Sequence, residues 1–508
     1  MFKKKRKISP ILSFILLTFL VILLSGILHL FNVQAEYSTV DKAAHGLVNN
    51  VIEVKNLLST SGIKHIITNA VNDFVNFPPL SILIIILIGI GVLEKSGFTK
   101  TAFTLITKNA KKNSLTFTLI LICLILSIFG DIGYAIMIPL GALIFKYGRR
   151  NPLGGIIATF ASLSFGTGIN IFLSSTDSSL LTLSLNAAKT IDPKYTIGSF
   201  FALFIMIIML IITAIIFTQI TEKKIMPKLP RYESDEEVII TNKELRGLII
   251  GSGCGILYLL IILYMIIPGL PLSGGLLDNN ATIYIDKLLG VNSLFSKGFI
   301  FIVTIFFIIV GLSYGLMAKT IKNSKDVTES LAYSLDGIGS IIVLIFFASI
   351  FINTFELSNI GQVLTALSAN IIGSLKFTGI GLILITILIL IVTNFICPNP
   401  LTKWTILSAT VIPVFMNASI SPEFTQIIFS ASDSITNGIT PLMIFFVIYI
   451  AFLEKYDKNN NTTLVGGIKY MISYSLYILI IWCVVITAWY MIGVPIGIGS
   501  LPGVVYGS

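Results

Sequence analysis

Four aspartates, Asp131, Asp177, Asp336 and Asp433, lie inside otherwise apolar stretches of this chain. A carboxylate at membrane depth costs about 3 kcal/mol or more on insertion scales, so each is a candidate for holding an ion or a solute. Asp177 and Asp433 stand among Ser, Thr and Asn, the first after SFGTGIN (164–170) and within SSTD (174–177), the second within SDSITNGITP (432–441). A desolvated carboxylate can carry a proton, whereas beside Na+ it stays ionised, and the residues leave both open. Asn170, Asn394 and Asn437, with Thr176, Thr402 and Thr436, offer neutral hydrogen bonds at the same interruptions. The competing reading is local: an acid caps a half-helix, and an amide or hydroxyl satisfies freed backbone groups. That reading weighs equally for Asp131 and prevails for Asp336, in SLDGIGS close to the inner face. Trp404, beside Lys403, sits at a break rather than a span end, which favours lining a solute path over anchoring at the interface. Trp482 and Trp489 read as packing or interfacial residues.

The segments that must position these side chains belong to a membrane protein. Of 508 residues, 55% are hydrophobic and 11% charged, less than half of the roughly 25% charge of a soluble domain. An all-α polytopic fold follows, because helices satisfy their own backbone in lipid. The 34 Lys+Arg against 24 Asp+Glu give a net charge of +10, which fits basic inner loops rather than a nucleic-acid partner. Four cysteines, all in apolar runs, and three scattered histidines give no metal-ligand spacing. No phosphate-binding GxxxxGK[ST] loop, HExxH motif or Ser-His-Asp set is present, and the acids are dispersed singly. These absences argue against ATP-driven transport, an intramembrane enzyme and a bound cofactor. A channel would need a continuous polar lining.

Loop charge orders the spans. The chain opens with Lys3-Lys4-Lys5-Arg6-Lys7 and an apolar run over 11–31, long enough for a retained first helix with its N-terminus inside rather than a cleaved signal peptide. The segment 32–79, with three Lys against four acids, reads as external, and its KHIITNAVNDFVNF stretch as an interfacial or loosely docked helix. Further spans are expected at about 80–98, 151–182, 194–220, 247–268, 297–318, 329–355, 424–453 and 468–494. Two runs do not fit single spans. Residues 114–146 are broken by Gly130-Asp131-Ile132-Gly133 and are basic at both ends, and 378–416 are broken by Cys397-Pro398-Asn399-Pro400. Each reads as a re-entrant hairpin, the first entering from inside, with two short full spans as its alternative, and the second entering from outside. The expected fold is nine transmembrane helices plus two opposed hairpins, multi-pass in the cell (inner) membrane, with a cytoplasmic N-terminus and an external C-terminus.

The hairpins introduce similar sequels. Ile138-Pro139, Pro152 and a broken span follow the first, and Ile412-Pro413, Pro422 and a broken span follow the second. Units starting on opposite sides of the membrane form an inverted-topology repeat, whose broken helices build one midplane site for a polar, anionic solute and a coupling ion. The resulting division is 1–79 (first helix and external segment), 80–220 (repeat A), 221–328 (inner loop and two linking spans) and 329–508 (repeat B).

AHGLVNN (44–50), LIGIGVLEKSG (87–97), GDIGYAIMIPLGALIF (130–145), NPLGGIIATFA (151–161), STD (175–177), SNIG (358–361), TKW (402–404) and SDSITNGITPLM (432–443) together resemble the p-aminobenzoyl-glutamate transporter (AbgT) family, within the wider ion-transporter superfamily. The resemblance implies a homodimer with this topology. It also implies transport of p-aminobenzoyl-glutamate, or export of sulfonamide antimetabolites, driven by a gradient of H+ or Na+. It places functional roles on Asp177, Trp404, Pro422, Asp433 and Pro441, with any Na+ near Asp177 and Asp433. Two positions depart from the family pattern. Leu401 replaces a serine of the second hairpin tip, and Ser430 replaces an arginine, the natural bidentate partner of a carboxylate. The departures bear on the exact solute. The expected partners are a small anionic or aromatic amide solute and the bilayer. A carrier of small di- or tricarboxylates on the same architecture is the alternative.

Overall fold

The computed structural model describes residues 8–40, 46–230, 232, 240–290, 292–457 and 462–504, and of Asp131 the backbone alone. The Lys3–Lys7 cluster, His45, Arg231, Lys458 and the last four residues lie outside the described residues.

Helix α1 (Pro10–Leu30) starts at Ser9, whose hydroxyl accepts from the Leu12 amide ahead of a proline in the first turn. Two antiparallel strands follow, β1 (Gln34–Val40) and β2 (Leu47–Glu53), with Gln34 opposite Glu53. The sequence had marked no strands there. Runs such as Leu47-Val48-Asn49-Asn50-Val51-Ile52 suit a pleated surface. The expected docked helix is α2 (Thr60–Val75), which leads directly into α3 (Pro78–Ser96). Then come α4 (Phe98–Lys108), α5 (Lys112–Leu126), α6 (Asp131–Tyr147), α7 (Pro152–Gly166), α8 (Ser175–Lys189) and α9 (Leu203–Ile220). After α10 (Asn242–Ile266) and the short α11 (Tyr284–Leu289) stand α12 (Leu294–Ala318), α13 (Ser324–Ala332), α14 (Gly339–Leu357) and α15 (Ile360–Ser374). The chain finishes with α16 (Gly379–Ile396), α17 (Pro400–Asn417), α18 (Pro422–Asn437), α19 (Phe446–Tyr456) and α20 (Leu464–Ile492).

Among the described residues, nine helices are long and apolar enough to cross a membrane. The number agrees with the sequence reading, but the membership does not. The expected spans 151–182 and 424–453 break at the interruptions read from the sequence, into α7 and α8, and α18 and α19, and the pieces are too short to count among the nine. The first arms of the two expected hairpins, Lys112–Phe129 and Gly379–Ile396, are instead among the nine. The expected span 329–355 begins only at Gly339, leaving Asp336 exposed on the turn before it.

Two short helices form the centre. Every residue of α18 except Ser430 is buried, as is every residue of α7 except Leu153. Helix α6 lies against α7 with backbones nearly touching: a Cβ at Gly155 would fall 2.1 Å from the Gly141 carbonyl oxygen, a contact only glycine permits. The pieces of the two halves are exchanged. Helix α8 rests on α17 and α18, while α19 rests on α6 and α7. Phe160 of α7 stacks on Tyr449 of α19 at 4.2 Å, and Tyr134 of α6 on Phe445 at 5.2 Å.

Candidate solute and ion site

The first break, between α7 and α8, is held by its own polar side chains. Ser174 caps α8, its hydroxyl accepting from the Asp177 amide at 3.1 Å. The Asp177 carboxylate reciprocates, accepting from the Ser174 amide at 3.0 Å and its hydroxyl at 2.7 Å. This is a capping box that satisfies otherwise orphaned amides. Asn170 donates to the same carboxylate at 2.7 Å and accepts from Ser127, at the end of α5, at 3.1 Å. The local, capping reading of Asp177 therefore holds.

The second break contains a buried ion pair. Lys403, in the first turn of α17, pairs with the Asp433 carboxylate of α18 and donates to the side-chain oxygen of Asn394 at the end of α16. The Asn394 amide lies within reach of the Asp433 carbonyl (2.5 Å), the Thr436 hydroxyl (2.7 Å) and the Asn437 side-chain oxygen (3.0 Å). Lys403 is 1% exposed and Asp433 6%, so each charge depends on the other for its solvation. The two breaks also touch. Asn437 donates to Thr167 at 3.0 Å, and a Cβ on Gly168 would lie 2.6 Å from the Ser430 carbonyl oxygen.

Between the breaks lies a cavity of about 530 Å³, within the usual range for small-molecule sites. Asp177, Thr176, Asn170, Thr402, Asp433 and Asn437, all singled out from sequence, line it. So do the two departures, Leu401 and Ser430. Three helix N-termini open onto it, at Gly130 before α6, Ser174–Asp177 of α8 and Asn399–Thr402 of α17. Each carries a partial positive charge of about half a unit. Tyr134, Phe355 and Phe429 supply apolar walls, and Glu356 stands at the lining beside Asn359. Among the described lining residues there is no Lys, Arg or His.

Other sequence candidates fall elsewhere. Trp404 does not line the cavity. It is fully buried behind Phe429, ring centroids 4.3 Å apart, with its indole N–H bonded to Ser184 at 2.9 Å. The helical turn directs it away from the break because residues one apart do not share a face. Asn394 lies behind Asp433. Pro422 opens α18 at the helix end remote from Asp433, and Pro441 falls in the segment after α18 without reaching the lining. The Asp131 side chain lies outside the described residues, although its neighbour Gly130 lines the cavity. Sequence reasoning passed over Lys403, Phe429 and Glu356. Lys403 had a usable signal, being the one basic residue between Lys376 and Lys455. Among the described residues no three His, Cys, Asp or Glu side chains gather as a metal site.

The family model for the AbgT putative transporter family matches residues 6–503. A p-aminobenzoyl-glutamate transport protein of Escherichia coli (strain K12) is 27% identical over 507 residues, covering 97% of this chain and 94% of that protein. The crystal structure of the Alcanivorax borkumensis YdaH transporter, described as having an unusual topology, is similar at 27% identity. It covers 96% of this chain and 100% of that one, with a TM-score of 0.48. Neisseria gonorrhoeae MtrF, described as illuminating a class of antimetabolite efflux pumps, is similar at 28% identity over 98% of each chain, with a TM-score of 0.48. Its family makes this multi-pass membrane protein a transporter rather than an enzyme: the chain belongs to the AbgT putative transporter family.

Proposed function

We propose that the chain is an ion-coupled secondary transporter of p-aminobenzoyl-glutamate-like solutes or sulfonamide antimetabolites, working by alternating access. The observation that carries this reading is that Asp177 and Asp433, from the two halves of the chain, line one cavity together with three helix N-termini. Aromatic walls at Phe429, Phe355 and Tyr134 suit a benzoyl ring, and the helix N-termini suit the carboxylates of an anionic solute. The name of the Escherichia coli relative supports the solute class, and the description of MtrF supports export of antimetabolites. The aromatic walls favour an aromatic amide over a small dicarboxylate.

Alternating access rests on the two halves, 80–220 and 329–508, acting as inverted repeats with the helix pairs α5–α6 and α16–α17 as opposed re-entrant hairpins. The reciprocal placement of α8 on α17 and α19 on α6 supports it. The coupling ion is H+ or Na+: Na+ would be held near Asp177 and Asp433, whereas a proton needs only one carboxylate. The test uses purified protein in liposomes loaded with p-aminobenzoyl-glutamate, with proton and sodium gradients imposed separately. Flux driven by one gradient names the ion and supports the solute. Absence of flux under either, from folded protein, overturns the solute assignment.

A further inference from the structure

One face of α18 is polar from end to end although the helix is buried almost throughout. Glu423, Gln426, Ser430, Asp433 and Asn437 recur at alternating intervals of three and four residues, a single helical stripe. The inner part of this stripe belongs to the cavity: Ser430, Asp433 and Asn437 line it. The outer part does not. Gln426 is bonded to Ser184 of α8 at 2.8 Å, and Glu423 accepts from the Tyr195 hydroxyl at 2.7 Å. Glu423 is 5% exposed and takes no part in the proposed solute site. Ten residues of helix separate it from Asp433, about 15 Å.

The groups around Glu423 leave its charge without a counter-ion. Among the described residues no Lys, Arg or His is ion-paired with it. Helices α7 and α16, packed on α18, carry no titratable side chain. From α17 the charged group is Lys403, held by Asp433. From α8 the groups are Asp177, held in its capping box, and Lys189, and from the segment after it, which carries Tyr195, they are Asp192 and Lys194. From α20 they are Lys469, Tyr470, Tyr474, Tyr477, Cys483 and Tyr490, of which Tyr490 stacks on the adjacent Phe424 at 6.4 Å. A metal ion would ask for about six oxygen ligands, whereas one side chain, Tyr195, is bonded to this carboxylate. A proton needs no further ligand and removes the uncompensated charge. Glu423 also stands in the first turn of α18, where the helix dipole keeps the ionised form within reach. A group that can exist in both states is what a carrier requires.

We infer that Glu423, with Tyr195, is a proton-binding site separate from the solute cavity and mechanically joined to it through α18. The carboxylate takes a proton from one side of the membrane as Glu423–COO− becomes Glu423–COOH, and releases it to the other after α18 has moved. The inference rests on the reading of the chain as an ion-coupled carrier.

Two measurements test it on the full chain. In liposomes with p-aminobenzoyl-glutamate, Glu423→Gln is expected to lose accumulation driven by a proton gradient while retaining gradient-free exchange of labelled for unlabelled solute. Tyr195→Phe, which removes a donor to the ionised carboxylate, is expected to move the pH midpoint of accumulation upward. Infrared difference spectra of the purified protein titrated with acid should show a carboxyl band that is absent in Glu423→Gln. Wild-type accumulation driven by sodium alone, undiminished accumulation in Glu423→Gln, or loss of exchange together with accumulation would each overturn the proposal. If wild-type protein moves no p-aminobenzoyl-glutamate, the solute reading fails, and the infrared band alone decides the proton site.

Discussion

The ammonium of Lys403 and the carboxylate of Asp433 form a buried ion pair across the contact between α17 and α18, at the edge of the cavity where the broken helices meet. Removing either partner strands the other charge in a low-dielectric interior, at a cost of about 3–5 kcal/mol, whereas removing both costs much less. Lys403→Met and Asp433→Asn should each lower the thermal midpoint of the purified protein more than the double variant does. Additive losses in the double variant would contradict the pairing.

Asp177 has two roles, capping α8 and facing the cavity. Asp177→Ala loses hydrogen bonds to a charged group, worth about 1.5–3 kcal/mol, and is expected to reach the membrane while transporting nothing. Asp433→Ala should abolish flux in the same assay. Normal transport by both variants would remove them from the site.

Trp404 and Phe429 separate a supporting ring from a contacting one. Trp404→Phe leaves the Ser184 hydroxyl without its indole donor and should cost about 1 kcal/mol of stability, with the KM for solute little changed. Phe429→Leu takes away the ring that faces the cavity, so its KM should rise. The opposite ordering would place Trp404 at the solute after all.

Ser430 lines the cavity, at a position where the resemblance to the family implies arginine. Ser430→Arg would place a cation on a lining that has none among the described residues, within reach of a solute carboxylate. Binding of p-aminobenzoyl-glutamate should tighten by about tenfold, 1.4 kcal/mol, as read by isothermal titration. Unchanged or weaker binding would mean that the carboxylates are held by the helix N-termini alone.

The spans and the positions of both broken segments were legible in the sequence. Bilayer thickness demands about 20 apolar residues per crossing, and chain that cannot continue as helix announces itself through Gly, Pro, Asn and Ser. Asp177 and Asp433 were also legible as candidates, because an acid in an apolar run is rare unless something is built around it, and both line the cavity. Which helices serve as the long ones was not legible: the arm 112–129, expected as half of a hairpin, is long and apolar enough to cross, while the pieces of 151–182 are too short. Nor could the sequence place Lys403 or Trp404. They are adjacent in the chain, yet one pairs with the cavity acid and the other packs behind Phe429. Adjacent side chains on a helix point about 100° apart, so their fates are set by which helix crosses each face. Composition and periodicity determine where a helix runs and where it breaks. The contacts between breaks, such as Asn437 on Thr167 across 270 residues, exist only once the two halves have packed, because a hydrogen bond depends on position in space and not on distance along the chain.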